Sequence, residues 1–477
     1  MNHDVILPNP WIIVPFGLLL GMIALAPLFF ADWWAKHYPK VALALGAVTL
    51  SYYLFSLHAY ERPLETAADY VKFIALIGAL FIVSGGIHIS VKGEATPRVN
   101  VVFLLVGAVV ANLLGTTGAS MLLIRPWIRM NKYRITGHHI VFFIFIVSNV
   151  GGCLTPIGDP PLFLGFLKGI PFWWVAEHCW PMWAVGLGVL LTMFFVVDSL
   201  NYRRAPKPIR EKETGYERWR FDGLANVFFL VVILGAVFLE RPPFVREALM
   251  LAAAAGSYFT TKKQVHEANH FDFHPIKEVA ILFIGIFATM MPALDWLAAN
   301  AQSLLGANPV AGFFYWSTGS LSSVLDNAPT YLAFLSAIFG SFVDADSVAQ
   351  VQHLVQTGGT DLATFVHGGH AEAIKNTFLA LQKYHGDQVL AKGVGVDEIK
   401  ICFLLGNLMF NKYILAISVG AVFFGAATYI GNGPNFMVKS IADQQKVHTP
   451  SFIAYVFRFS LPFLLPMLLL VWWLFFR

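Results

Sequence analysis

Charge is scarce in this 477-residue chain. Asp, Glu, Lys and Arg together make up 13% of it, about half the share in a soluble protein. So few charged groups cannot coat the three or four water-soluble domains that such a length would otherwise suggest. Cysteine is scarcer still, at three residues (Cys153, Cys179 and Cys402), with no C-x-x-C and no metal-ligand spacing. That excludes a disulfide scaffold and offers no metal site. An excess of one sign is missing too: the formal net charge is +4, and the basic residues sit in short loops, not in the patches that bind nucleic acid. The first ten residues hold no Lys or Arg, so the positive region of a secretory signal is absent and the apolar run 11–30 reads as a retained helix. What is abundant is apolar: 57% hydrophobic residues, 43 of them Phe. The solvent for most of this chain is a lipid bilayer.

Twelve apolar segments recur at about 11–30, 41–58, 70–89, 99–130, 138–168, 172–198, 223–240, 245–260, 276–297, 309–340, 409–443 and 451–476. Four are abnormal and fall into two pairs. Segments 99–130 and 309–340 are too long for one crossing and are interrupted at Gly115-Thr116-Thr117-Gly118 and Asp326-Asn327-Ala328-Pro329, so each reads as a re-entrant hairpin. Segments 138–168 and 409–443 are interrupted by the runs 148–161 and 428–435, so each reads as a broken transmembrane helix. Ile157-Gly158-Asp159-Pro160-Pro161-Leu162-Phe163 aligns without gaps on Ile430-Gly431-Asn432-Gly433-Pro434-Asn435-Phe436. The expected fold is an all-α polytopic membrane protein of two repeats. Each repeat has three spans, a hairpin, a broken span and a final span. Five crossings per half force opposite topology on the second half, the plan of many secondary transporters.

The repeats would cover 1–198, and 223–340 with 399–477. A cytoplasmic linker would occupy 199–222 and a polar insert 341–398. Short loops on one side carry Lys36, Lys40, Arg125, Arg129, Lys132, Arg134 and Lys446, whereas the other side has little beyond Arg62, Lys168, Arg241 and Arg246. The positive-inside bias then makes this a multi-pass protein of the cell (inner) membrane, with both termini and the insert outside. His367-Gly368-Gly369-His370 in the insert has two imidazoles and no nearby Cys, too little for a metal site.

Non-helical backbone at mid-membrane must be buried in protein or line a wet cavity. Four paired breaks therefore point to one central site. Asp159 and Asp326 sit at breaks, and a carboxylate at that depth costs on the order of 3 kcal/mol unless it has a partner or a task. Either can hold a hard cation through oxygen or take a proton; either can also cap the half-helix that follows. Neutral oxygen donors surround them: Asn149, Thr155, Asn327, Thr330, Thr428, Asn432 and Asn435 as candidate ion or substrate ligands, with Thr116 and Thr117 at the first hairpin tip. The sequence presents no catalytic residue, metal or cofactor site, and the G-x-S-G and H-E-x-x-H motifs of membrane enzymes are absent. The ligands expected are transported Na⁺ and H⁺ only. Lys and Arg are missing close to either carboxylate break, which favours a small inorganic cation over a small carboxylate as the cargo.

Asn149-Val150-Gly151-Gly152 followed by Thr155-Pro156-Ile157-Gly158-Asp159-Pro160-Pro161, together with Asp326-Asn327, resembles the ion transporter superfamily. That group includes NhaD-type sodium/proton antiporters, arsenite-pump permeases and citrate carriers. The resemblance implies a cation/proton antiporter working by alternating access, with a cation-coupled citrate or carboxylate carrier as the alternative, and a homodimer. The chain departs from the dicarboxylate carriers in lacking a paired Ser-Asn-Thr motif. It departs from the NhaD type in having Pro160 and Pro161 where hydroxyl residues follow the Asp.

Overall fold

The computed structural model describes residues 7–91, 95–204, 220–239, 242–305, 309–358 and 370–477. The first half comprises α1 (Val14–Phe29), α2 (Ala31–Ser51), α3 (Glu61–Gly85), α4 (Pro97–Met130), α5 (Gly137–Ile146), α6 (Pro160–Leu167) and α7 (Phe172–Arg204). A short antiparallel pair, β1 (His88–Ser90) with β2 (Arg220–Asp222), ties the loop after α3 to the start of the second half. There follow α8 (Asn226–Ala236), α9 (Val245–Thr260), α10 (Lys263–Ala268), α11 (His274–Leu305), α12 (Ala311–Ser322) and α13 (Asn327–Phe342). Next come α14 (Ala345–Thr357), α15 (Ala371–Tyr384), α16 (Gly386–Leu390), α17 (Val396–Leu405), α18 (Leu408–Phe424), α19 (Gly433–Gln444) and a last span α20 (Phe452–Phe475). Of the linker, residues 205–219 lie outside the described residues, as does His367 of the insert.

Among the described residues, eight helices are long and apolar enough to cross a membrane, or nine if the bent pair α13–α14 counts as one span. The protein is thus an all-α polytopic membrane protein. Large apolar side chains such as Leu18, Phe29, Val106 and Trp473 stand exposed on its outside, as a lipid-facing surface requires. By contrast α5 is apolar on every face and buried on every face from His138 to Ile146, which makes it the innermost helix.

The first hairpin hides inside one helix. A straight α4 of 34 residues would be about 51 Å long. Instead Asn100 and Asn131 exchange side-chain hydrogen bonds of 2.8 and 3.1 Å, and Phe103 stacks on Trp127. The chain reverses at Gly115, whose φ of +72° and ψ of 157° suit only glycine. The freed amide of Thr116 finds the Gly158 carbonyl at 2.7 Å. The second hairpin, α12–α13, turns through 323–326, and its arms meet again where Phe314 approaches Phe342. α13 then bends by 92° into α14. That helix gathers with α15 and α17 around Val351, Leu354, Ile374, Leu381 and Ile399, so the polar insert has a small core of its own.

The two broken spans share one local geometry. After α5 a 3-10 turn (Val150–Leu154) leads into extended Thr155, and α6 starts at Pro160 behind extended Asp159. After α18 a 3-10 turn (Gly425–Ala427) leads into extended Thr428, and α19 starts at Gly433 behind extended Asn432. A Cβ on Gly158 would lie 2.1 Å from the Gly152 carbonyl oxygen, and one on Gly431 would lie 2.6 Å from that of Gly425. Both breaks therefore fold back on a glycine six residues earlier in the motif. Packing between elements also runs in matched pairs. α2 lies against α11, and α9 lies against α3. Each hairpin lies against the opposite half's broken span, α4 on α19 and α13 on α6.

Candidate ion-binding site

Asp159 is fully buried and sits where all four breaks converge. As N-cap of α6 it could have bonded its own helix, but its side chain makes no such bond and turns inward. Oδ1 accepts from the Thr116 hydroxyl at 2.7 Å and from Asn432 Nδ2 at 3.0 Å. Oδ2 accepts from Asn327 Nδ2 at 2.6 Å. One carboxylate thus joins the first hairpin tip, the second hairpin tip and the second break. All three donors are neutral, and no Lys or Arg pairs with it among the described residues. Asp159 and Asn432 occupy equivalent places in the two aligned motifs, and they touch.

A second layer holds those donors. Asn432 also donates to Asn149 Oδ1 at 3.1 Å, and Asn149 donates to Asn435 Oδ1 at 2.7 Å. Asn435 in turn donates to the Gly425 and Thr428 carbonyls, which the break has left without helical partners. The hydroxyls of the remaining candidates are spent on backbone. Thr155 bonds the Asn112 carbonyl, Thr428 the Ser323 carbonyl and Thr330 the Asp326 carbonyl. Thr117 is half-buried and lines a small cavity beside Asp159, walled by Leu76, Leu80 and Phe81.

Asp326 behaves differently from Asp159. Its Oδ1 caps α13 by accepting from the Ala328 amide at 3.0 Å, so it is the neighbouring Asn327 that reaches the centre. Asn327 carries the one loose end there: its Oδ1 is buried and has no hydrogen-bond partner. A buried amide oxygen without a donor, beside a carboxylate, is the kind of group a cation or a carboxyl proton satisfies.

Three features escaped the sequence. Asn112, on the first arm of α4, donates to the Gly151 carbonyl at 2.7 Å and accepts from the Leu154 amide at 2.9 Å; an Asn inside an apolar run was its signal. At the base of the same hairpin, buried Asp198 is paired with Arg134 and bonded by Asn100 (2.9 Å) and His139 (3.0 Å), with His138 at 3.5 Å. His138, His139 and Asp198 lie close enough to share an ion, but Arg134 covers both oxygens of the carboxylate, so the cluster is an ion-paired staple between α4, α5 and α7. On the opposite side Lys168, just after α6, pairs with Asp69 of α3 at 2.9 Å and Asp397 of α17 at 3.3 Å, while Arg62 pairs with Asp295 at 2.9 Å. Burial pushes the Asp397 carboxyl up, but Lys168 and Lys400 hold it below the usual carboxylate range. The insert is thereby fastened to the end of the broken span.

A family model described as "Putative citrate transport" matches residues 6–476. Two uncharacterized transporters of Mycobacterium tuberculosis, from strains CDC 1551 / Oshkosh and ATCC 25618 / H37Rv, are each 24% identical over 334 residues, 64% of this chain and 76% of theirs.

Proposed function

The chain belongs to the "Putative citrate transport" family, and from that premise we propose a secondary active transporter that exchanges a small cation, most simply Na⁺, for protons by alternating access. The observation that carries this reading is the meeting of both hairpins and both breaks on Asp159, bonded only by neutral donors, with Asn327 Oδ1 unpartnered beside it. As a carboxylate, Asp159 accepts from the three donors and presents oxygen to a cation. As a carboxylic acid it becomes a donor itself, and a turned Asn327 amide offers it an acceptor at the same 2.6 Å. Cation and proton therefore compete for one group, which couples their movements.

The matched breaks and matched packing support two inverted repeats, over 1–198 and over 223–340 with 399–477, that rock about this centre. The loop charges support an inner-membrane location with both termini outside, a cytoplasmic linker at 199–222 and an outward insert at 341–398 that caps the broken span. Asn149, Asn432, Asn435, Thr116 and Asn327 are the binding residues in this scheme; Thr155, Thr428 and Thr330 hold the backbone that carries them, and Asp326 presents Asn327. No cofactor is needed.

A carboxylate carrier is the second reading, favoured by the family's description. Proteoliposomes with an internal acid load separate the two. Antiport predicts that external Na⁺ or Li⁺ dissipates the pH gradient. A carrier predicts cation-dependent uptake of labelled citrate with no such dissipation, and that outcome would displace the antiport reading.

A further inference from the structure

Asp159 and Asn327 each head a helix that leads away from the centre, α6 and α13. These two helices pack on each other, and α3 and α11 pack against them. Leu164 and Leu332 each stand five residues beyond their site residue, about 8 Å out along the helix. There the four helices leave a pinhole of about 20 Å³, room for about one water. Phe287, Met290, Met291 and Leu294 form its α11 wall at helical spacing. Pro292 interrupts the same stretch. It has no N–H to give the Ala288 carbonyl, so α11 has a point at which it can bend there.

Polar groups lie over this apolar stretch. Lys168 reaches from the end of α6 across the seam to Asp69 of α3 at 2.9 Å, and to Asp397 of the insert at 3.3 Å. Arg62 and Tyr53 hold Asp295 of α11 at 2.9 and 2.6 Å. The insert grips the turn after α6 at two more points. His385 Nε2 donates to the Gly169 carbonyl at 3.1 Å. Gly169, with a φ of +98°, lies so close to the insert that a Cβ on it would meet the Glu398 Cα at 2.8 Å.

Two features suit this layer to opening. The Lys168 and Asp69 side chains are 21% and 16% exposed, so water can solvate each when they part. The fully buried Asp198 carboxylate on the opposite side has no such recourse. The seam that Lys168 bridges is also the one along which α6 and α13, with the site at their heads, would move against α3 and α11.

We propose that the Lys168–Asp69 pair and the apolar stripe beneath it are a gate over Asp159, shut in this structure and clamped by Asp397 and His385 of the insert. Cargo passes the Lys168 end when the pair parts and Leu164 and Leu332 draw back from α11. The inference rests on the alternating-access reading, but not on which ion or substrate crosses.

Leu332, 3% exposed, is the place to probe. Full-length Leu332→Cys protein in nanodiscs, wet on both faces, is treated with a charged methanethiosulfonate, and adducts are located by peptide mass spectrometry. The buried native thiol of Cys179 reports unfolding in the same sample. The gate predicts slow labelling at 332. Adding Asp69→Asn or Lys168→Met should speed it about fivefold while Cys179 stays protected. Lys262→Gln, an exposed charge outside the gate, should not. Proton movement plays no part in this readout, so a failure of antiport leaves the gate standing and a failure of the gate leaves antiport standing. Labelling at 332 that is already as fast with the pair intact, or that neither variant speeds, overturns the proposal. So does exposure of Cys179 along with position 332 in both variants, because the pair is then a fixed structural clamp.

Discussion

Replacing Asp198 by alanine should destabilise the protein far more than any exposed charge removal. The Asp198 carboxylate is fully buried and the Arg134 side chain is 2% exposed. Removing the carboxylate leaves a guanidinium in the protein interior with, among the described residues, only neutral acceptors: the Ala95 carbonyl, the Tyr133 hydroxyl and, in the appropriate tautomer, His139 Nε2. Breaking one side of a buried pair costs about 3–5 kcal/mol. Asn100 and His139 lose the same acceptor, which places Asp198→Ala toward the upper part of that range. The pair itself contributes much less, because both ions were desolvated to form it. Arg134→Met with Asp198→Ala should therefore cost less than Asp198→Ala alone, giving a coupling energy of about 2 kcal/mol or more. Denaturant titration in detergent micelles, followed by tryptophan fluorescence, measures all four corners of the cycle. If Asp198→Ala shifts stability by less than 1 kcal/mol, or the double variant equals the sum of the singles, the staple between α4, α5 and α7 is not what holds them.

Gly158→Ala would put a Cβ 2.1 Å from the Gly152 carbonyl oxygen, so it should cost about 1–3 kcal/mol of strain and lower the folded fraction by size-exclusion chromatography, whereas Gly21→Ala meets nothing within 4 Å and should behave as wild type. Asn327→Leu should impair cation-dependent proton movement more than Asp326→Asn, because Asn keeps the α13 cap while Leu removes a donor from Asp159; the reverse order in proteoliposomes would restore Asp326 as the central group. Since Asp397 is held below the usual carboxylate range, its ion pair with Lys168 contributes fully above about pH 3.9 and is lost only as pH falls through its lowered value. Protection factors for amide exchange at 160–169, corrected for the intrinsic pH dependence of exchange, should thus be flat from pH 5 to 8, and a steep change in that window would contradict the latch. Single cysteines introduced at residues 210 and 360 should be labelled from the cytoplasm and from outside, respectively; the three native thiols are buried and give little background. Labelling of 210 in intact cells would invert the orientation.

The breaks were legible because lipid punishes irregular backbone. Gly115, Gly158 and Pro160, and Asn432 with Pro434, stand out against apolar runs, and the structure places its reversals and unwound segments there. The alignment of Asp159 on Asn432 was legible for the same reason, and their contact follows from it. The two aspartates looked alike in sequence and differ in space. Asp326 follows a tight turn whose geometry directs its carboxylate to the Ala328 amide, whereas the backbone folding Gly158 onto Gly152 leaves Asp159 facing the other three breaks. Nothing in the spacing of residues 134, 138, 139 and 198 announces that they meet, since their proximity depends on how α7 lies against the hairpin. The length of α4 concealed its own fold, because a single glycine performs the reversal.

Proton release and uptake at Asp159 is the central claim, and cation-driven proton flux in proteoliposomes carrying wild type or Asp159→Asn tests it most directly. Asparagine fits the buried site and still bonds Thr116 or Asn432, but it cannot exchange a proton at these pH values. The account predicts that Na⁺ collapses the pH gradient in wild-type vesicles and leaves it intact in the variant, with both proteins equally folded and inserted. Antiport at the wild-type rate in Asp159→Asn would contradict it.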